Sequence, residues 1–394
     1  MGKSVILWQI INSKQLDMAT KKLVILLTIL MNMVGIKAFA YDIAVENADG
    51  VTIYYNYYSD GTELEVAQGV YSGIVNIPEE VTYMNRTRKV ASIGNYAFNE
   101  CTNLISVSMS NSVRTIRDFA FFKCSSLTSV TIGNSVSYIG GFSFSFCSSL
   151  ASITLPNSLT WIGWSAFLGC NNLLTINIPN NVTAIDGYAF KDCSSLSSIS
   201  IPNSVTNIGE FAFCGCSSLD SVTIPNSVTI IGTNAFENCT SLVSVTIPNS
   251  VTFFAKYLFS GCSSLTSITI PNSITSIGSG AFKDVDLLSV ISMVENPFKV
   301  EGIDSDDRVF SKNTFYNATL YVPKGTIGKY KTCGGWKDFL FMEEGSSASV
   351  SNIESEEIGE LKRYSLDGTV IKNPNKGINI IQMNNGTTQK VLVK

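Results

Sequence analysis

The stretch CSSLDSVTIPNSVTIIGTNAFEN, from Cys216 to Asn238, decides the fold because Cys239 begins nearly the same phrase again. Eight cysteines keep this interval of 23 residues: Cys101, Cys124, Cys147, Cys170, Cys193, Cys216, Cys239 and Cys262. Self-similarity at a fixed period of about 20–50 residues indicates a repeat architecture. Although 394 residues would accommodate about two or three ordinary domains, the period predicts one long array instead.

The first half of the phrase predicts a short strand. Leu219, Val222 and Ile224 form the apolar pattern of a turn that enters a strand. Pro225 ends that strand because proline cannot donate to a strand ladder, and Asn226 suits the turn that follows.

The second half predicts another extended piece and a tight turn. Val228 and Ile231 begin the extended piece, which ends at Gly232. Phe236 and Cys239 lie three residues apart, which predicts one face of a single helical turn. A unit this short cannot bury its apolar face alone, so the coils must stack and share strand hydrogen bonds. The sequence therefore predicts an α/β repeat solenoid with parallel strands and short helical turns.

The repeat also resembles a known family. The motifs L-x-x-I-x-I-P, V-T-x-I-G, A-F and C-x-x-L recur through residues 91–293 and resemble the leucine-rich repeats of BspA-like surface proteins. Pro-Asn-Ser replaces the single buried asparagine of the more familiar leucine-rich repeat, which favours this branch. The resemblance implies a leucine-rich repeat solenoid capped at both ends. A three-sided β-helix is the alternative that fits the period but not the predicted helical turn.

The regularly spaced cysteines are interpreted as small core side chains. Stacked equivalents would lie roughly 5 Å apart, but an in-register column points every Cβ in the same direction, which defeats disulfide geometry. Val285 occupies the ninth slot, and a buried free cysteine behaves as a similar small apolar group. Cys214 and Cys333 lie outside the period. They are interpreted either as reactive thiols or as exposed side chains without a special role.

Composition and the N-terminus predict an exported protein. The chain is 45% hydrophobic and 15% charged with a net charge of −4, so it lacks the basic footprint of a nucleic-acid-binding protein. Lys21 and Lys22 precede the apolar run LVILLTILMNMVGI, and the AFA at 38–40 is a small-x-small cleavage site. We expect the mature chain to begin at Tyr41, with no transmembrane segment after signal removal.

Catalysis is not expected. The chain has no histidine, which excludes Ser-His and Cys-His nucleophile pairs and histidine-ligated metals. No acidic residue recurs at the same repeat position in two consecutive units, and no phosphate-binding or dinucleotide motif is present. We predict a non-enzymatic protein without cofactor or metal.

Binding residues are expected where the repeat varies. Exposed aromatic side chains rimmed by polar residues are typical of binding hot spots. The aromatic residues at variable positions form the predicted ligand-binding set: Tyr138, Phe142, Phe146, Trp161, Trp164 and Phe253. Alternatively these rings pack on one another as filler. Trp161 and Trp164 are expected to be at least partly exposed because Ala184 and Gly187 hold their places in the next coil.

A second candidate surface is a face of small hydroxyls. The outward positions of the first strands are nearly all serine or threonine, from Ser129 and Thr131 to Ser267 and Thr269. They either tolerate an exposed strand or form a hydrogen-bonding surface for a glycan or a protein.

The chain is predicted to have six segments: a signal peptide at 1–40, an N-terminal β cap at 41–90, nine leucine-rich repeats at 91–293, a C-terminal cap at 294–343, a linker at 344–360 and a small β tail at 361–394. Tyr330, Trp336 and Phe339 are expected to close the core within the C-terminal cap. The tail reads as four short strands and resembles the sorting domains of Bacteroidetes type IX secretion; a plain terminal β module is the alternative.

The resemblance implies adhesion, by contact with a host extracellular protein, a glycan or another microbial surface. A glycan-binding protein of nutrient capture is the competing interpretation, and a structural envelope protein is the third.

Overall fold

The computed structural model describes residues 41–345 and the backbone of 360–364, 370–371, 377–383 and 388–393. The predicted signal peptide and nearly all of the predicted linker lie outside these residues, as do most of the positions that carry the sorting-domain resemblance. Within the described part of the chain, no helix is long and apolar enough to cross a membrane.

An antiparallel meander opens the fold. It contains β1 (Ile43–Glu46), β2 (Thr52–Tyr58) and β3 (Glu63–Val66). Strand β3 then pairs in parallel with β6 (Arg86–Ile93), which also forms a hairpin with β5 (Glu80–Tyr83). The hydrogen bonding of the solenoid thus begins before residue 91, and the meander covers the edge that the first coil would otherwise expose.

The first strands of the coils stack in one column of parallel strands, and in the coil at Ser152 a single parallel bridge to Thr175 replaces the strand. The column begins with β4 (Gly73–Ile77), β7 (Leu104–Met109) and β9 (Ser129–Thr131). It continues through β12 (Thr175–Asn177), β14 (Ser198–Ser200), β16 (Ser221–Thr223), β18 (Ser244–Thr246), β20 (Ser267–Ile270) and β22 (Ser289–Ser292). The strand pairs within the repeats match equivalent residues of neighbouring coils, such as Val222 with Val245, so the 23-residue period sets the register.

The second strand of each coil forms a second column, with two residues per strand. Its members after β6 are β8 (Thr115–Ile116), β10 (Tyr138–Ile139), β11 (Trp161–Ile162), β13 (Ala184–Ile185), β15 (Asn207–Ile208), β17 (Ile230–Ile231), β19 (Phe253–Phe254) and β21 (Ser276–Ile277). The Pro-Asn-Ser turn joins the two columns. Its serine explains the motif: Ser204 Oγ donates to the carbonyl oxygen of Val182 in the preceding coil at 2.7 Å, and Ser227 does the same to Val205 at 2.7 Å.

The third side of the coil differs from the predicted helical turn. It consists of successive β-turns in which residues such as Phe119 and Lys123 have a φ of 58°. A positive φ turns the flanking amides toward the neighbouring coil, where Phe121 N donates to Ser143 O at 2.7 Å. A helix would instead satisfy its amides internally. All three sides of the coil therefore carry hydrogen bonds between coils.

Apolar columns fill the interior. Ten buried phenylalanines stack at centroid distances of 4.8–5.7 Å: Phe98, Phe121, Phe144, Phe167, Phe190, Phe213, Phe236, Phe259, Phe282 and Phe310. The eight regularly spaced cysteines are buried, as predicted, and none of them is in a disulfide within the described residues. From Cys124 to Cys262 each thiol donates to a phenylalanine carbonyl of the preceding coil, as Cys193 Sγ does to Phe167 O at 3.2 Å.

The C-terminal end of the solenoid contains its helices. These are α1 (Lys312–Asn317), α2 (Ile327–Thr332) and a 3₁₀ turn at Trp336–Asp338, and they alternate with strands β23 (Thr319–Pro323) and β24 (Phe341–Gly345). The core-closing role predicted for Tyr330, Trp336 and Phe339 is confirmed, since all three are buried against the last coil.

The tail forms an antiparallel sheet of its own. The strands are β25 (Glu360–Tyr364), β26 (Val370–Ile371), β27 (Gly377–Met383) and β28 (Thr388–Val393), in the spatial order β26-β25-β27-β28. Four short strands were predicted here, and four are present.

Candidate functional site

Tyr138 and Trp161 lie side by side on the second column of strands. Strands β10 and β11 pair in parallel with these two residues in register. Their side chains point outward because the next residues, Ile139 and Ile162, point into the core. Tyr138 is 38% exposed and Trp161 is 42% exposed. Neither ring pairs with another aromatic ring among the described residues, so a ligand could reach both.

A second set of aromatic rings runs along the turn side of the solenoid, and we call it the outer ladder. Its neighbours have centroid distances of 4.7–5.2 Å, and its members are Tyr96, Phe119, Phe142, Trp164, Tyr188 and Phe211. Five of them occupy the repeat position with positive φ. In the fourth coil Ser165 takes that position, and Trp164, one residue earlier, supplies the ring instead.

Trp164 combines packing with exposure. Its ring contacts Phe142 at 5.2 Å and Tyr188 at 4.8 Å between centroids. It also lies over Gly187, where an added Cβ would stand 2.7 Å from the indole Nε1. Even so, 45% of Trp164 remains exposed. The ring of Trp164 therefore packs against its neighbours, as the filler interpretation expects, and is also exposed, as a binding surface requires.

The other two predicted residues differ in their placement. Phe146 is exposed and meets Phe122 edge-on at 5.6 Å, at the border of the outer ladder. Phe253 lies in β19 beside Ser276 of β21 and is only half-buried. Three strands, β13, β15 and β17, separate it from Trp161, so the structure does not bring it to the other five residues.

Glycines and carboxylates complete the surroundings of Tyr138 and Trp161. Gly140 and Gly163 follow the two strands, and a Cβ on Gly163 would stand 2.6 Å from the carbonyl carbon of Gly140. The backbone therefore forms a low floor here. Asp118 Oδ1 accepts a hydrogen bond from Gly141 N at 2.8 Å at one end of this floor. Asp186 takes the glycine position of the next coil at the other end.

The electrostatic environment links these acids to the tyrosine. Burial raises the pKa of Tyr138, and the carboxylates of Asp118 and Asp186 raise it further. Burial also raises the pKa of Asp186 above the usual range of a carboxyl group. Sequence reasoning missed both acids because they occupy different repeat positions three coils apart. Stacking the sequence in its 23-residue register would have placed them on either side of Tyr138.

The hydroxyl face has the predicted exposure. The outward residues of the first strands are all exposed from Ser129 to Thr269, including Thr175 and Asn177 in β12. They form a nearly uncharged surface on a different side of the coil from the aromatic residues.

The thiols are not arranged for chemistry. Burial raises the pKa of Cys170 to about 12 and that of Cys214 to about 12, so both are protonated at neutral pH. The nearby carboxylate of Glu237 adds to the shift at Cys214. Within the described residues no group of His, Cys, Asp and Glu side chains is placed to hold a metal ion.

Comparisons with known proteins agree with this architecture. The family described as "BspA type Leucine rich repeat region (6 copies)" matches residues 76–197 and 184–320. A solved leucine-rich repeat protein from Bacteroides ovatus ATCC 8483 is 30% identical, with a TM-score of 0.61 and 77% of each chain covered. A leucine rich cell surface protein from Faecalibacterium prausnitzii A2-165 is 25% identical, with a TM-score of 0.49, 78% of this chain and 97% of that chain covered. No functionally curated protein matches the sequence.

The family match spans more than half of the chain, and the B. ovatus structure shares its fold at 30% identity. Members of such repeat families typically act as non-catalytic binding proteins. The chain belongs to the BspA-type leucine-rich repeat family.

Proposed function

We propose that this chain is an exported, non-catalytic adhesin that contacts a host extracellular protein or glycan, or another microbial surface. The observation that carries the proposal is the group of exposed aromatic residues on the third and fourth coils. Tyr138, Phe146, Trp161 and Trp164 each expose at least 38% of their surface on a scaffold hydrogen-bonded on three sides. Rigid aromatic side chains lose little conformational entropy on binding, which makes them effective contact residues.

Export is part of the proposal and has its own test. We expect protein isolated from the native host to begin at Tyr41, because the AFA site precedes it. Mass spectrometry of the N-terminal peptide measures this directly. Retention of Met1 or Met18 on the host's protein would contradict export through this signal.

Binding is tested with the full chain on an array of extracellular-matrix proteins, intact microbial cells and polysaccharides. The double variant Trp161→Ala, Trp164→Ala should lower affinity at least about tenfold, which corresponds to about 1.4 kcal/mol. Ile230→Ala is the matched control, because Ile230 is 48% exposed on the same strand column but remote from both tryptophans. A folded double variant that binds unchanged would move the recognition surface elsewhere.

Glycan capture for nutrition is the second candidate function. The hydroxyl face supports it, because closely spaced serine and threonine side chains both donate and accept hydrogen bonds. Three results together would favour this function over adhesion. The protein would retain polysaccharides alone, it would lose this binding when valine replaces Thr223 and Thr246, and the double tryptophan variant would still bind.

A further inference from the structure

We infer that Tyr138 and Trp161 form a platform for a neutral oligosaccharide, whose hydroxyl groups donate to the carboxylates of Asp118 and Asp186. The inference rests on the proposed function and specifies the ligand class of the same surface. It extends the predicted site by two acids and assigns each side chain a separate task.

The two rings supply the apolar part of the platform. Their Cα atoms face one another across a parallel strand pair, which places them roughly 5 Å apart. Unlike the rings of the outer ladder, they have no aromatic partner among the described residues, so no other ring stacks on them. More than half of each side chain is nevertheless covered, since Tyr138 is 38% and Trp161 42% exposed. The rings are thus held in place, and the C–H face of a sugar ring can pack on them.

The glycine floor is buried and closely packed beside the two rings. Any side chain at Gly140 or Gly163 would collide with its neighbours, because a Cβ on Gly140 would stand 2.5 Å from Asp118 Oδ1. Both positions therefore carry no side chain of their own between Tyr138 and Trp161 on one side and the outer ladder on the other.

Asp186 supplies an acceptor that the protein itself leaves free. Its carboxylate is half-buried, yet it has no hydrogen-bond donor and no cation as a partner among the described residues. Burial of a carboxylate without such partners is costly, and burial raises the pKa of this group accordingly. A hydroxyl donor from a ligand would relieve the cost. Asp118 has one oxygen engaged by Gly141 N, and its other oxygen is free to accept.

The spacing and charges favour a neutral, extended ligand. Asp118 and Asp186 lie three coils apart, which is roughly 14 Å along the solenoid at about 4.8 Å per coil. One lysine or arginine side chain cannot contact both, whereas hydroxyl groups recur along an oligosaccharide. Arg117, the cation next to Asp118 in the sequence, is already paired with Glu65 at 3.5 Å and lies over the ring of Tyr58 at 5.0 Å. The guanidinium of Arg117 is therefore not free to pair with an acidic ligand.

The test uses the full chain, a panel of neutral oligosaccharides on an array, and titration calorimetry with each saccharide retained. Trp161→Ala and Asp186→Asn should each weaken binding at least about tenfold with little change in Tm, whereas Ile230→Ala should bind normally. Asp186→Asn keeps the shape of the side chain, removes its charge and replaces one acceptor oxygen by an NH₂ donor, so a loss of affinity in a folded variant would reflect the lost acceptor and charge.

Three results would overturn the inference, and they differ in what they say about adhesion. Retention of basic peptides instead of saccharides, lost in Asp186→Asn, would assign the site to a cationic partner. Binding to matrix proteins that survives both their enzymatic deglycosylation and Trp161→Ala would leave adhesion standing and remove the saccharide site. Absence of binding to saccharides, matrix proteins and microbial cells would contradict the proposed function and the inference together.

Discussion

At the residue scale, each regularly spaced cysteine does more than fill space. From Cys124 to Cys262 the thiol donates to a phenylalanine carbonyl of the preceding coil that already accepts one backbone amide; for Phe167 O the two donors are Cys193 Sγ at 3.2 Å and Cys170 N at 3.2 Å. Cysteine is therefore suited to this slot, because the surroundings are apolar except for one carbonyl oxygen that accepts a weak hydrogen bond from the thiol.

Replacing one such cysteine should cost little. We expect Cys193→Ala to lower the free energy of unfolding by about 1 kcal/mol, through the lost sulfur volume and the lost weak hydrogen bond. Urea denaturation measures the change. Cys193→Val is the matched control, since Val285 fills the equivalent slot of the ninth repeat and is fully buried. A loss above about 4 kcal/mol for alanine would show that the thiol column has a further structural role.

Asp186 makes the stability of the protein depend on pH. Its pKa is raised by burial in the folded state, so the folded protein binds more protons than the unfolded chain as the pH falls toward that pKa. Ionisation of this carboxylate therefore destabilises the fold at neutral pH, and the penalty disappears below the unfolded pKa.

We accordingly expect Asp186→Asn to unfold at a slightly higher temperature than the parent protein at pH 7, and at the same temperature near pH 3. Thermal melts monitored by circular dichroism at both pH values check this. Asp118→Asn is the comparison, because Asp118 is exposed and accepts the Gly141 amide, a bond that asparagine can keep. A lower melting temperature for Asp186→Asn at pH 7 would contradict the assigned effect of burial.

At the element scale, the turn side of the coil shows where sequence reasoning reached its limit. The period, the two strands and the buried slots follow from spacing alone, since Val222 and Ile224 alternate as a strand pattern requires and Ile231 supplies the buried residue of the second strand. The spacing of Phe236 and Cys239 fits a helical turn and a pair of β-turns equally well. What decides between them is the positive φ of Asn234 and Asn238, which their neighbours in the next coil stabilise by hydrogen bonds.

The candidate site could be predicted only in part for a related reason. The exposure of Trp161 and Trp164 follows from the small residues at their positions in the next coil. Their different roles do not follow from the sequence. Ser165 occupies the repeat position from which the other ladder residues project their rings, and Trp164, one residue earlier, fills the gap. Phe253 occupies the same repeat position as Tyr138 and Trp161, but the stacking of the coils places it four coils away from Trp161.

The two tryptophans should separate in stability measurements. Trp164→Ala removes two ring contacts of the outer ladder, each worth about 0.5–1.5 kcal/mol, so we expect these contacts to contribute a loss of roughly 1–3 kcal/mol. Trp161→Ala removes no ring contact, and because Trp161 is exposed to a similar extent as Trp164 (42% against 45%), it should cost less than Trp164→Ala by about the value of those contacts. Urea denaturation of both single variants tests the division. Equal losses would mean that Trp161 packs on the solenoid as tightly as Trp164.

At the scale of the whole molecule, the solenoid is a stack of interchangeable coils between two different ends. Phe213 stacks on Phe190 and Phe236 at 5.6 and 5.3 Å, with rings nearly parallel on both sides. Because each coil presents almost the same surface to both neighbours, stability is close to a sum of coil and interface contributions.

Removal of one complete period should therefore leave the fold intact. Deletion of Cys216–Asn238 joins Gly215 to Cys239 and restores every column, so we expect the same circular dichroism spectrum and a Tm lower by a few degrees. The site at Tyr138 and Trp161 lies on other coils and should bind as before. Deletion of 216–227 is the control, because removing half a period breaks the register. If both deletions unfolded the protein alike, the coils would not be interchangeable.

The direction of the hydrogen bonds between coils determines how the molecule bears a load. All three sides of a coil bond to the next coil along the stacking axis, so tension between the ends acts on the interfaces in series. The weakest interface opens first, and each released coil of 23 residues adds about 75 Å of chain at roughly 3.3 Å per residue. A molecule anchored at one end and bound through its third and fourth coils would lengthen stepwise under flow. Its contact with the ligand would then experience a limited force.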